Sequence, residues 1–167
     1  MDGPFGGQVG KKKSEGVADG INRLLQNLVL KCAKSDGIRD YFHIGVFGYG
    51  TEVKYALAGS SDERPVLPIS EVANSPIRVE QRKRMIDDGA GGLIEQNIRF
   101  PVWFEPEATG KTAMNAAMTL AKDTVAWFRE QFPDCFPPLV VNLTDGQPTG
   151  PNPPGTAQDL TALPSSA

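Results

Sequence analysis

The sequence predicts an α/β fold, a sheet with helices on its faces, and three observations carry that expectation. Two long stretches repeat apolar residues at helical spacing. Between them, two short runs rich in β-branched and aromatic residues flank a glycine-rich turn. Near the end, the uncharged run LVVNL, residues 139–143, leads into Thr144-Asp145-Gly146. At 167 residues and 40% hydrophobic, the chain can bury one core and is read as one domain.

Each element has its own warrant. Residues 1–13 read as a glycine-rich loop ending in Lys11-Lys12-Lys13. From Ser14 to about Lys34, the residues Val17, Ile21, Leu24, Leu25, Leu28 and Cys32 recur in steps that are mostly three and four, with Ser14 as N-cap and Gly37 as stop. Tyr41 to Phe47 reads as a strand, GYGT as a tight turn, and VKYALAG as the second strand of a hairpin. Residues 60–92 are polar and punctuated by proline and glycine, which suggests surface loop with one or two short helices. Asn97 to Phe104 looks extended, and Pro101 makes it an edge or bent segment. Thr112 to about Gln131 is a second helix whose stripe is small in its first half, so that this end can approach a sheet closely. LVVNL reads as a strand buried on both faces, typical of parallel sheets. In such sheets ligands bind beyond the carboxyl ends of strands, which is where Thr112 and Asp145 belong.

Composition excludes several functions. The 17 basic and 20 acidic residues give a net charge of -3, so no global field favours nucleic acid or an acidic membrane. Cys32 and Cys135 form no C-x-x-C pair, which excludes a zinc knuckle and a thioredoxin-like motif. Two reduced thiols suit a cytoplasmic protein, and no export signal or membrane-length apolar run is present in the sequence as written. His43, the single histidine, lies between Phe42 and Ile44 and reads as a packed strand residue rather than a catalytic one.

Three motifs tempt a catalytic reading. Gly110-Lys111-Thr112 resembles the end of a phosphate-binding loop, but Glu105 stands where that loop needs its first glycine, and an acid repels phosphate. Gly45, Gly48 and Gly50 lie in a hairpin with no helix following, unlike a dinucleotide fingerprint. Asp87 and Asp88 lack the spacing of a calcium loop and read as turn residues. Thr112 and Asp145 remain as oxygen donors at the tips of elements. On spacing alone a helix cap for Thr112 and an Asx turn for Asp145 are favoured over a site, and a hard cation wants about six oxygens.

The segments GVADGINRLLQNLV, HIGVFGYG, TGKTAMNAAMTLA and LVVNLTDGQPT together resemble, in order, the von Willebrand factor type A domain, especially its bacterial intracellular members. The resemblance implies a three-layer, doubly wound Rossmann-like sheet with a metal-ion-dependent adhesion site at its carboxyl edge. Thr112 matches the family's second-loop threonine, and Asp145 its third-loop aspartate, both ligands of Mg²⁺ or another divalent cation. The implied role is binding without turnover: an acidic residue of a partner protein completes the metal. Family members often accompany ATPases, kinases or phosphatases. The alternative is a hydrolase using Gly110-Lys111-Thr112 or Asp145.

The chain departs from the family in two respects: it contains no D-x-S-x-S, and the helix and strands that follow the family's third loop have no counterpart in it. That motif, with the apolar strand before it, supplies the family's first metal loop. The expectation is therefore a single partial domain, with residues 1–13 a loop, 14–150 the core and 151–167 a truncated tail. The first central strand and the C-terminal strands are expected to be missing, with Met1 matching the methionine after the motif through a late start codon or a real truncation. Unpaired inner edges would leave this form marginal in stability, binding Mg²⁺ weakly or not at all.

Overall fold

A computed structural model describes residues 10, 12–89, 91–106 and 112–144. Among the described residues there are three helices and eight short-to-medium strands, a mixed α/β content. The strands pair as four separate two-stranded antiparallel sheets. No parallel, doubly wound sheet forms among the described residues.

Helix α1 spans Lys13–Cys32. Its N-cap is Lys12, not Ser14, and the Lys12 N–H donates to the Glu15 carboxylate at 2.8 Å. That acid also complements the positive end of the helix dipole. Ser14 is the second residue of the helix and is buried, on a face with Ala18, Asn22, Leu25 and Cys32. The buried stripe is thus rotated from the purely apolar one: Leu24 is exposed, and the polar Asn22 faces inward. Nor does the helix run on to Gly37. It ends at Cys32 because Ala33 turns extended and enters a small hairpin, β1 (Ala33–Lys34) with β2 (Gly37–Ile38). Gly37 has φ +130, a conformation only glycine adopts readily, so it serves the hairpin rather than a helix cap.

The expected strand over 41–47 is divided. His43–Ile44 (β3) pairs with Leu67–Pro68 (β6), while Phe47–Tyr49 (β4) pairs with Val53–Tyr55 (β5). The predicted hairpin is present, but its two arms are shorter than the sequence suggests. Gly45 sits at the break. A Cβ there would lie 2.9 Å from the Pro65 carbonyl oxygen and 3.0 Å from Val66 Cγ1, so the chain passes Pro65 only because it carries no side chain.

Helix α2 is the short segment Ile69–Asn74, held in place from its N-terminal side. The Ile69 N–H donates to the Phe42 carbonyl at 2.9 Å and the Ser70 N–H to Asp40 Oδ1 at 2.9 Å. Bonds from the Ser70 hydroxyl and then its N–H hold the Asp40 carboxyl below the ordinary aspartate range. This helix is not a surface ornament: Ile69 and Val72 are fully buried with Leu25, Cys32, Leu57, Leu67 and Trp103 in the main core. Full burial of each aliphatic side chain contributes about 1.5–3 kcal/mol.

Strands β7 (Arg78–Asp87) and β8 (Leu93–Val102) form a ten-residue ribbon, the largest departure from the expected loop over 60–92. Charge conceals β7, since RVEQRKRMID has few apolar residues to show a period of two. Its inward positions instead use long side chains whose stems cover apolar surface. Arg82 lies 3.7 Å over the Phe100 ring. The turn reading of Asp87 and Asp88 is correct: Asp87 accepts the Gly89 N–H at 2.7 Å, and Asp88 the Gly92 N–H at 2.9 Å. Pro101 is tolerated inside β8 because each strand of a two-stranded ribbon is an edge.

Helix α3 spans Met114–Gln131, two residues later than predicted, with Met114, Ala117, Ala121 and Thr124 buried. The run LVVNL forms no strand. It is unpaired and exposed among the described residues, the opposite of a buried central strand. A strand needs a neighbour for its main-chain groups, and none of the described strands lies beside it.

Candidate functional site

The start of α3 and the hairpin β4–β5 meet at one place. Ala113 takes the N-cap position of α3, with no side-chain cap, and its N–H donates to the Gly50 carbonyl at 2.9 Å. Thr112, half-buried, is the residue before it. The N-cap position thus falls one residue after Thr112. Helix α3 contacts β4, and its small residues Ala117 and Ala121 are buried.

The segment after α3 returns to the same hairpin. The Tyr49 hydroxyl donates to Asn142 Oδ1 at 2.6 Å, bridging β4 and the LVVNL run. Residues 49 and 50 thus hold both the approach to Thr112 and the residue three before Asp145. On the other arm, the Tyr55 hydroxyl donates to Asp62 at 2.9 Å. Burial first, and then that carboxylate, push the phenol up to about 12, so it remains a donor throughout the physiological range.

Asp145, Glu107, Gly110 and Lys111 lie outside the described residues. Among the described residues no group of three or more His, Cys, Asp or Glu could hold a metal. Thr112 supplies one oxygen against the roughly six that Mg²⁺ prefers. The described donors do not by themselves fit a tight site for the ion.

A second polar cluster joins α1 to the ribbon. Arg82 donates to Glu80 at 2.8 Å and to Asp19 at 3.0 Å, and Arg78 bonds both Glu80 and Glu105. Hydrogen bonds from Arg82 and Arg78 hold the Glu80 carboxyl below the ordinary glutamate range. A cavity of about 170 Å³ opens between these groups, but they satisfy one another around it. Asn22 lies at its base: Oδ1 accepts the Trp103 N–H at 2.8 Å, and Nδ2 donates to the Phe104 carbonyl at 3.3 Å. A purely apolar period passes over Asn22, though its place between Ala18 and Leu25 on the Ser14, Ala18, Leu25, Cys32 face could have revealed it.

His43 is a packed residue, as its apolar neighbours imply. Its ring lies 5.2 Å from Phe128 and 4.8 Å from Phe132, centroid to centroid, beside a hollow of about 390 Å³. Cys32 and Cys135 are free thiols, the first buried. Among the described residues no helix is long and apolar enough to cross a membrane. Compared with known protein families, characterised proteins and solved structures, the chain matches none.

Proposed function

We propose that the chain is a von Willebrand factor type A module that binds a protein partner through a divalent cation, with its metal site incomplete. One observation carries this reading. The Thr112 approach and the Asn142 segment that leads to Asp145 are both bonded to the Tyr49–Gly50 turn. Convergence of two loops on one turn is what a site built from a threonine and an aspartate of different loops requires. Thr112 and Asp145 would hold Mg²⁺, which would supply a Lewis-acidic position for an acidic residue of the partner.

The doubly wound sheet of the family, a cytoplasmic setting, and an ATPase, kinase or phosphatase as partner belong to the same proposal. The lack of D-x-S-x-S in the chain, and the small donor set of its described residues, favour weak metal affinity. The test is capture of a partner from cell extract by immobilised protein. Capture that requires Mg²⁺, reverses with chelator and is lost in Asp145→Ala supports the module. Nucleotide binding abolished by Lys111→Ala, with no Mg²⁺-dependent capture, overturns it in favour of a hydrolase.

A further inference from the structure

The two edges of the β7–β8 ribbon are not alike. Its register pairs Val79 with Pro101, and beyond Asp87 the Asp88 N–H donates to the Gly92 carbonyl at 3.0 Å. Antiparallel ladders alternate bonded and unbonded pairs, so even-numbered residues of β7 bond to β8 and odd-numbered ones turn their main chain outward. On β8 the outward edge is closed. Pro101 brings no N–H to it, the Gln26 amide donates to the Arg99 carbonyl at 3.1 Å, and Asn22 holds Trp103 and Phe104 just beyond. On β7 the outward main chains of Val79, Gln81, Lys83 and Met85 make no hydrogen bond among the described residues. About 20 Å of strand edge stands open.

What guards this edge is charge of one sign. Arg82, Lys83 and Arg84 are consecutive, and Arg84 has no acidic partner among the described residues. Lys83 meets Glu95 only at the surface, where such a pair is weak. The two central antiparallel registers with a second copy set Lys83 or Arg82 against itself, so the row rejects its own kind and favours the opposite charge. Exposed Val79 and Met85 flank the row with apolar surface. We propose that the β7 edge receives an extended acidic segment of a partner protein, added as a third strand with carboxylates opposite Arg82, Lys83 and Arg84. Main-chain bonds to the outward residues give the affinity, and the cation row selects the partner. The edge shares no residue with the Thr112 and Asp145 site, so it stands or falls independently of the metal-site reading.

The probe is a fluorescent peptide, Val-Glu-Glu-Glu-Thr-Thr-Val with blocked ends, titrated with the full chain in the presence of chelator and followed by anisotropy. Saturable binding should weaken at least about tenfold when lysine replaces each glutamate of the probe, because like charges then face each other. Gln81→Pro removes one outward N–H and leaves every ladder bond to β8 in place. Its circular dichroism should stay as in wild type, while binding falls at least about tenfold. Arg84→Glu should lose the glutamate probe and gain the lysine probe. Asp145→Ala should bind as wild type, which separates this edge from the metal site. No saturable binding, equal affinity for the two probes, or affinity unchanged in Gln81→Pro would each overturn the proposal, as would a dimer of the chain that Gln81→Pro dissolves.

Discussion

Asn22 joins the middle of α1 to the end of β8 through the main chain of Trp103, its Oδ1 accepting the Trp103 N–H at 2.8 Å. Both residues are 2% exposed, so neither partner can turn to water if the other is removed. The Trp103 indole N–H in turn donates to the Val72 carbonyl, which ties α2 to the same point. Asn22→Ala should therefore cost about 2 kcal/mol, because it strands the Trp103 N–H and the Phe104 carbonyl in the core. Urea unfolding reads this as a lower midpoint with an unchanged slope.

Gly45 should be as sensitive for a steric reason. Gly45→Ala puts a methyl group 2.9 Å from the Pro65 carbonyl oxygen and should destabilise by about 1–3 kcal/mol. The companion Gly48→Ala, where nothing lies within 4 Å, should cost much less. Equal losses at both positions would show that glycine is needed there for turn flexibility alone.

These two residues also show what the sequence discloses. The helical spacing at Val17 to Cys32 and Ala113 to Phe128 announced α1 and α3, because a helix displays its buried face within the local pattern. Gly48 and Gly50 likewise announced the hairpin. Strand β7 was hidden because its inward side is met by Glu80, Arg82 and the Phe100 ring, a pairing that exists only across the ribbon. LVVNL has the composition of a buried strand, yet pairing depends on a neighbour that local pattern does not report. Of the candidate site, Thr112 was legible as the start of a helix. Its contact through Ala113 to Gly50 joins residues 63 apart and had no local signature.

The Glu80 network predicts a defined pH dependence. Its two arginine partners hold the folded-state carboxyl below the ordinary value of 4.5, so the unfolded chain binds the proton more readily. The network's contribution is present above 4.5 and is lost as pH falls through the lower folded value. Asp40, also depressed, acts in the same direction through Ser70. The difference between wild type and Glu80→Gln should isolate the Glu80 share, shrinking as the pH of denaturant melts falls below 4.5. A difference that stays constant with pH would mean that Glu80 acts by packing.

The Tyr49–Asn142 bond should be measurable as a coupling. In a double-mutant cycle of Tyr49→Phe with Asn142→Ala, the interaction energy should be about 0.5–1 kcal/mol, the range of an accessible neutral hydrogen bond. A coupling of zero would detach the LVVNL segment from the hairpin and remove the convergence on which the proposed site rests.

Calorimetric titration of the full chain with Mg²⁺, repeated on Thr112→Ala and Asp145→Ala, tests the central claim most directly. The account predicts weak, millimolar binding to the wild type that each substitution abolishes while thermal unfolding is unchanged. Binding that persists in both variants, or no saturable binding to the wild type, would contradict it.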